Sequence, residues 1–380
     1  MEVIIGKYFE AVAGHMAQLN YPMSFLSDKY KDVEKWREEA RAEVRRLLSY
    51  DPPETPLGSE VHDEYAKDGL IYRHISYAQP HGPRTEGILM RPENIKGNLP
   101  GVIGLHDHGG FKYYGKEKIT APKNTPAIME EYRAVCYEGR AWASELAGRG
   151  YAVFVPDVFL WGSRKIMPED LPDWYIWQWR DGFNKNPVDS KEYIEVYNDY
   201  SGYAEHDIAK TLIKAGMTWP GITVYDDMRA VDFLLTQPDV DADNIGCGGL
   251  SGGGLRTVLL AAMDERIKAS CCAGFMSTTL EFLYKVHTHT WMLYIPGLTN
   301  LMDFTDLYAL HGAKPTMVLY DIDDPLYTLK GQEEADARLK NIYAKMGAPE
   351  LYSGHFFPGP HKFDIEMQEV AFDFFGKWLR

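Results

Sequence analysis

Cysteine is scarce: the 380-residue chain has four, at positions 136, 247, 271 and 272. That number excludes a disulfide-stapled scaffold, and the spacing shows no metal-knuckle pattern. Cys136 falls in a predicted helix and Cys247 and Cys271 in predicted strands, so these read as buried thiols in a reducing compartment. Positive charge is also short. Forty Lys and Arg stand against 55 Asp and Glu, a formal charge of −15, which argues against nucleic acid or an anionic membrane surface as a partner. No apolar run approaches the ~18 residues of a membrane-spanning helix. The start, Met1-Glu2-Val3-Ile4-Ile5-Gly6-Lys7, has no basic stretch leading into an apolar one. It does not read as a signal peptide, and a cytoplasmic location is the expectation. Internal repeats, low-complexity tracts and flexible interdomain linkers are also missing.

What is present suits a large core. Hydrophobic residues make up 45% of the chain and aromatics 13%, enough for one globular fold with added segments. Residues 1 to about 60 read as a helical N-terminal extension. Within it, Val33, Trp36, Ala40, Val44 and Leu47 form an apolar stripe between Asp32 and Leu48 that must lie on something. Two strands follow, Leu70 to Tyr77 and Thr85 to Pro92, joined across a Pro/Gly turn. Short apolar strands then alternate with helices. The strands are Val102 to Leu105, Tyr151 to Asp157, Ile245 to Leu250, Ile267 to Ala273, Thr316 to Tyr320 and Leu351 to Phe357. The helices are 134–147, 204–215, 225–235, 254–262, 335–346 and about 363–379. That alternation predicts an α/β fold over 61–380, with a mostly parallel sheet covered by helices on both faces. Two aromatic-rich insertions, about 158–203 and 276–311, leave the sheet where ligands bind in such folds and read as pocket walls or a cap.

Gly249-Leu250-Ser251-Gly252-Gly253 sits between a predicted strand and a predicted helix. A Gly-x-Ser-x-Gly pattern is weak alone, but the strand–turn–helix context makes Ser251 a candidate nucleophile at a strained elbow. A phosphate-binding loop would space its glycines differently or continue into Gly-Lys-Ser/Thr. An acid must then follow a later strand, and a histidine must come near the end of the chain. Asp324, just before Pro325, is the first choice for the acid. Asp323 is second and Asp321 third. His361, in the loop before the last helix, is preferred as base over His355, which falls inside a strand. His106-Asp107-His108-Gly109-Gly110-Phe111 follows a strand. The N–H of Phe111 or Gly110 is the expected first oxyanion donor and that of Gly252 the second. Neither His106-Asp107-His108 nor His287-Thr288-His289 is read as a metal site, and no cofactor is expected.

These stretches carry a resemblance. His108 to Lys118, Asp226 to Asp232, Gly249 to Gly254, Gly274-Phe275-Met276, His289-Thr290-Trp291 and Gly359 to Asp364 together resemble the dienelactone hydrolase-like and acetyl xylan esterase-like branch of the α/β-hydrolases. The resemblance implies an eight-stranded, mostly parallel sheet with Ser251 as nucleophile, Asp324 as acid and His361 as base. It also implies hydrolysis of esters, lactones or acetylated sugars. One departure is Asp321, where such relatives usually carry Gly. The expected reaction is cleavage of a small-molecule carboxylic ester, aromatic or sugar-containing, through an acyl-enzyme. An amidase or peptidase on the same triad, a transacylase and a non-catalytic binding protein are the alternatives. Homo-oligomerisation stays open.

Overall fold

The computed structural model describes residues 3–94 and 97–380; Met1 and Glu2, where the N-terminal reading began, lie outside them. Two compact units make up the chain. One is Tyr50–Asp241 and the other joins Met1–Ser49 to Ala242–Arg380.

The joined unit opens with α1 (Phe9–Met16) and α2 (Val33–Leu48). Asp32 starts α2 because its carboxylate accepts from the N–H groups of Glu34 and Lys35 at 2.9 and 3.0 Å, two donors a helix start otherwise leaves unpaired. Of the expected stripe, Trp36, Ala40 and Val44 are buried, and Leu48 joins them while Val33 and Leu47 are half-buried. Arg37 Nε donates to the Leu310 carbonyl and Arg41 Nε to that of Ala262, so α2 is pinned as well as packed. The region between the two helices consists of turns and irregular chain.

The unit Tyr50–Asp241 holds β1 (Glu60–Lys67), β2 (Leu70–Tyr77), β3 (Thr85–Pro92), β4 (Leu99–Leu105), α3 (Ala127–Cys136), α4 (Trp142–Gly148), β5 (Ala152–Pro156), α5 (Asp173–Ile176), α6 (Arg180–Lys185), α7 (Lys191–Lys214) and α8 (Trp219–Leu235). Its strands lie in the order β1-β2-β3-β5-β4. The first three pairings are antiparallel, and β4 with β5 is parallel. β1 is absent from the sequence reading. It is an edge strand with mostly exposed residues, so it lacks the alternation that marks a half-buried strand. The helix expected over 134–147 is two helices, split at Glu138 and Gly139, which both have positive φ. The helix expected at 204–215 is the end of the much longer α7, which Ser190 caps. Much of the aromatic insertion packs on itself. Tyr113, Ile176, Tyr193, Tyr197 and Tyr200 form one buried cluster with Trp179 and Phe183 against it, so those rings are core material.

The remainder of the joined unit runs β6 (Val240–Leu250), α9 (Gly252–Met263), β7 (Ile267–Ala273), α10 (Thr279–Phe282), α11 (Phe304–Ala309), β8 (Thr316–Asp321), α12 (Leu329–Lys345), β9 (Tyr352–Phe357) and α13 (Ile365–Trp378). Here β6, β7, β8 and β9 are neighbours in that order, all parallel. β7 is buried save for Lys268, and β8 throughout. Such two-sided burial explains why they read as apolar runs rather than as alternating sequences. Nine strands are described where the resemblance implies eight, and β1 is the one beyond the sequence reading. No helix among the described residues is long and apolar enough to cross a membrane. All four cysteines are free thiols, and Cys247, Cys271 and Cys272 are buried.

Candidate active site

β6 ends at Leu250 and α9 begins at Gly252, so Ser251 alone makes the turn. It adopts φ 57° and ψ −120°. A non-glycine residue in such a conformation costs about 1–3 kcal/mol and persists only where its surroundings impose it. Two hydrogen bonds do so here. The Ser251 N–H donates to the Ala273 carbonyl, and the Ser251 carbonyl accepts from the Leu255 N–H, each at 2.9 Å. The close approach that the glycines permit falls at Gly254, where a Cβ would sit 2.6 Å from the Ala273 carbonyl oxygen. All of α9 is buried. Its first-turn N–H groups, beginning with Gly252, lie immediately after Ser251, where a helix start is electropositive.

The three aspartates after β8 have separate tasks. Asp324 Oδ2 faces His361 Nδ1 at 2.5 Å, and its Oδ1 accepts from the Leu326 N–H at 2.8 Å. Asp323 Oδ2 accepts from the Gly359 N–H, and the Asp323 N–H donates to the Gly359 carbonyl. Asp323 therefore holds the histidine's loop rather than the histidine. Asp321 is fully buried. Its Oδ2 accepts from the Lys362 N–H at 3.2 Å, while Oδ1 has no hydrogen-bond partner. Burial pushes its carboxyl up to about 7, with Asp324 adding to the rise and the Lys362 N–H and His361 opposing it. Ligating atoms of Asp321, Asp324 and His361 lie within 4.8 Å of one another, the group among the described residues that could hold a metal ion. The pairing present is carboxylate to imidazole.

Gly274 places the histidine ring. It has φ 57°, and a Cβ there would lie 3.1 Å from His361 Cε1. Ala273 and Gly274, consecutive residues, thus touch the backbone of Ser251 and the ring of His361. His355 is elsewhere: it lies in β9 opposite Leu319 and lines a surface groove with Met317, Leu351, Phe374 and Trp378. His287 is exposed. His289 packs against Phe282 and Tyr327, with ring centroids 5.0 and 5.1 Å away, so the two do not form a ligand pair.

The His-Gly-Gly loop belongs to the unit Tyr50–Asp241. Its backbone donors are engaged within the loop. The Gly110 N–H donates to His108 Nδ1 at 3.0 Å, and the Phe111 N–H donates to the His108 carbonyl at 3.1 Å. His106 Nδ1 meets the Asp107 carbonyl oxygen. Asp107 accepts from the hydroxyls of Tyr132 and Tyr137 and pairs with Lys118. Sequence reasoning missed how the loop is fastened. Lys112, Lys116 and Lys118 are all buried, and they pair with Glu205 at 2.6 Å, Asp157 at 2.8 Å and Asp107 at 3.4 Å. Glu205, on α7, also meets His108 Nε2 at 2.5 Å. Burial would raise its carboxyl, but His108 and Lys112 hold it down at about 2. Three lysines within seven residues of a Gly- and Tyr-rich loop were the available signal for buried counterions.

Comparison with solved structures bears on the fold. A "putative acetyl xylan esterase" from Bacteroides fragilis NCTC 9343 superposes with a TM-score of 0.70 at 16% identity, over 93% of this chain and 82% of that one. A glucuronoyl esterase from Solibacter usitatus gives 0.62 at 13%, over 95% and 99%. The fold is that of the α/β-hydrolases. By sequence, the chain is 24% identical over 355 residues to "Putative hydrolase YtaP" of Bacillus subtilis (strain 168), covering 90% of the chain and all of the relative. No family model matches it.

Two outcomes follow from these burials. Glu205→Ala strands the Lys112 ammonium in a buried site and lowers unfolding stability by about 3–5 kcal/mol in denaturant titrations; Lys112→Met with Glu205→Gln recovers much of that loss. Asp321 acts through pH. Its carboxyl is ordinarily near 3.8 and is raised to about 7 in the fold, so the native state binds the proton more tightly than the unfolded one. The resulting destabilisation grows as pH rises from about 4 and is complete above about 7. Asp321→Asn therefore raises the melting temperature near pH 8, and the gain vanishes near pH 4.

Proposed function

We propose that the chain is a serine hydrolase that cleaves a carboxylic ester through an acyl-enzyme, with Ser251 as nucleophile, His361 as base and Asp324 as its orienting acid. The observation that carries this reading is the meeting of the strained Ser251 elbow and the Asp324–His361 pair at one turn, Ala273-Gly274. The hydrogen bond to Asp324 engages His361 Nδ1. In the neutral ring, with Nδ1 donating, Nε2 is the basic nitrogen.

His361 Nε2 takes the Ser251 hydroxyl proton as Oγ attacks the ester carbonyl. Asp324 keeps the ring in the reactive tautomer and stabilises the imidazolium. The Gly252 N–H, at the electropositive start of α9, donates to the oxyanion. The Gly110 and Phe111 N–H groups, the donors expected from the sequence, are bonded to His108 within their own unit. The tetrahedral intermediate collapses, His361 gives the proton to the leaving alcohol oxygen, and the acyl group stays on Oγ. A water, activated by His361 in turn, releases the acid and restores Ser251. The small-molecule substrate carries a sugar or aromatic ring, in keeping with the esterases of the same fold. The location is cytoplasmic, in keeping with the free thiols.

Kinetics on a panel of 4-nitrophenyl acetate, a lactone, an acetylated sugar and a matched anilide test this reading. Wild type is expected to turn over esters far faster than the anilide, and Ser251→Ala to lower kcat/KM by at least about a thousandfold. A Ser251→Ala variant with the wild-type rate contradicts it.

A further inference from the structure

His289 lies in the second insertion and is absent from the mechanism above. Its ring is enclosed by Phe275, Phe282 and Tyr327, with centroids 5.7, 5.0 and 5.1 Å away. Phe275 follows Gly274, against which His361 rests. Tyr327 stands three residues after Asp324, and its N–H donates to the Asp324 carbonyl. His289 is therefore built into the segments that hold the acid–base pair, near enough for the charge of His361 to act on it. Burial first, and then His361, push the ring down to about 3, so it is neutral at any working pH and carries a single N–H. That N–H is spent on the Leu326 carbonyl. The other nitrogen, Nε2, is buried and has no hydrogen-bond partner. In this tautomer Nε2 is an acceptor only. A buried acceptor without a donor is costly and uncommon in a folded protein. The Tyr327 hydroxyl is likewise buried without a partner.

Resting on the serine-hydrolase reading, we propose that His289 Nε2 accepts a hydrogen bond from a hydroxyl on the substrate's leaving alcohol, beside the scissile ester oxygen. The leaving side follows from chemistry, since His361 must hand its proton to the alcohol oxygen. A group sharing the surroundings of His361 therefore meets the alcohol part of the ester. The aromatic rings around the acceptor suit the carbon face next to such a hydroxyl. A site with a fixed acceptor favours a substrate that supplies the donor and rejects one that leaves the acceptor unpaired.

The test compares 2-hydroxyethyl acetate with 2-methoxyethyl acetate, which share an acyl group and differ in one donor. Wild type is expected to prefer the hydroxyl ester in kcat/KM by about tenfold, and His289→Phe, which keeps a ring in the cage, to bring the ratio within about twofold. His289→Gln, which retains an acceptor oxygen, is expected to restore part of it. Absence of the preference in wild type overturns the inference whatever the variants do. So does a His289→Phe variant that keeps the preference or loses activity equally on both esters. If wild type hydrolyses both acetates equally, the inference about His289 falls and the hydrolase reading stands. If it hydrolyses no ester, the hydrolase reading falls and takes the inference with it.

Discussion

A single strained residue organises the site. Ser251 must turn a buried strand into a buried helix with no spare residue, and it does so at φ 57°. The cost of about 1–3 kcal/mol is offset by what lies on either side: the parallel pairing of β6 with β7 and the complete burial of α9. The same pairing brings Ala273 to the Ser251 N–H and so carries Gly274 to the His361 ring. Any residue larger than glycine at 274 would meet that ring and the Leu250 side chain.

The acidic turn after β8 shows how burial sorts carboxyl groups that look equivalent in sequence. Asp323 is exposed and ties two loops through backbone groups. Asp324 has one oxygen on a backbone N–H and the other on the histidine. Asp321, at the end of the strand, is buried with one oxygen unpaired, and burial favours its neutral form below about pH 7. Three adjacent acids thus give a brace, an orienting carboxylate and a group that resists ionisation.

Much of this was legible in the chain. The apolar runs at 245–250, 267–273 and 316–320 became buried parallel strands because two-sided burial leaves a direct mark on composition. Ser251, Asp324 and His361 were nominated by order and loop position, and Asp324 meets His361 in the fold. What was hidden depends on long-range partners. β1 is polar because it lies at an edge. The lysines at 112, 116 and 118 are buried against acids 93, 41 and 11 residues away in the chain, respectively. Local sequence also could not show that His108 occupies the Gly110 and Phe111 N–H groups, or that His289 Nε2 is buried without a hydrogen-bond partner.

The central claim is that the elbow makes Ser251 a nucleophile served by His361. Treatment of the intact protein with a fluorophosphonate, followed by peptide mass spectrometry, tests it most directly. The account predicts one stoichiometric adduct on Ser251, formed far more slowly in His361→Ala. An unlabelled Ser251 in the folded protein, or labelling that His361→Ala leaves equally fast, would contradict it.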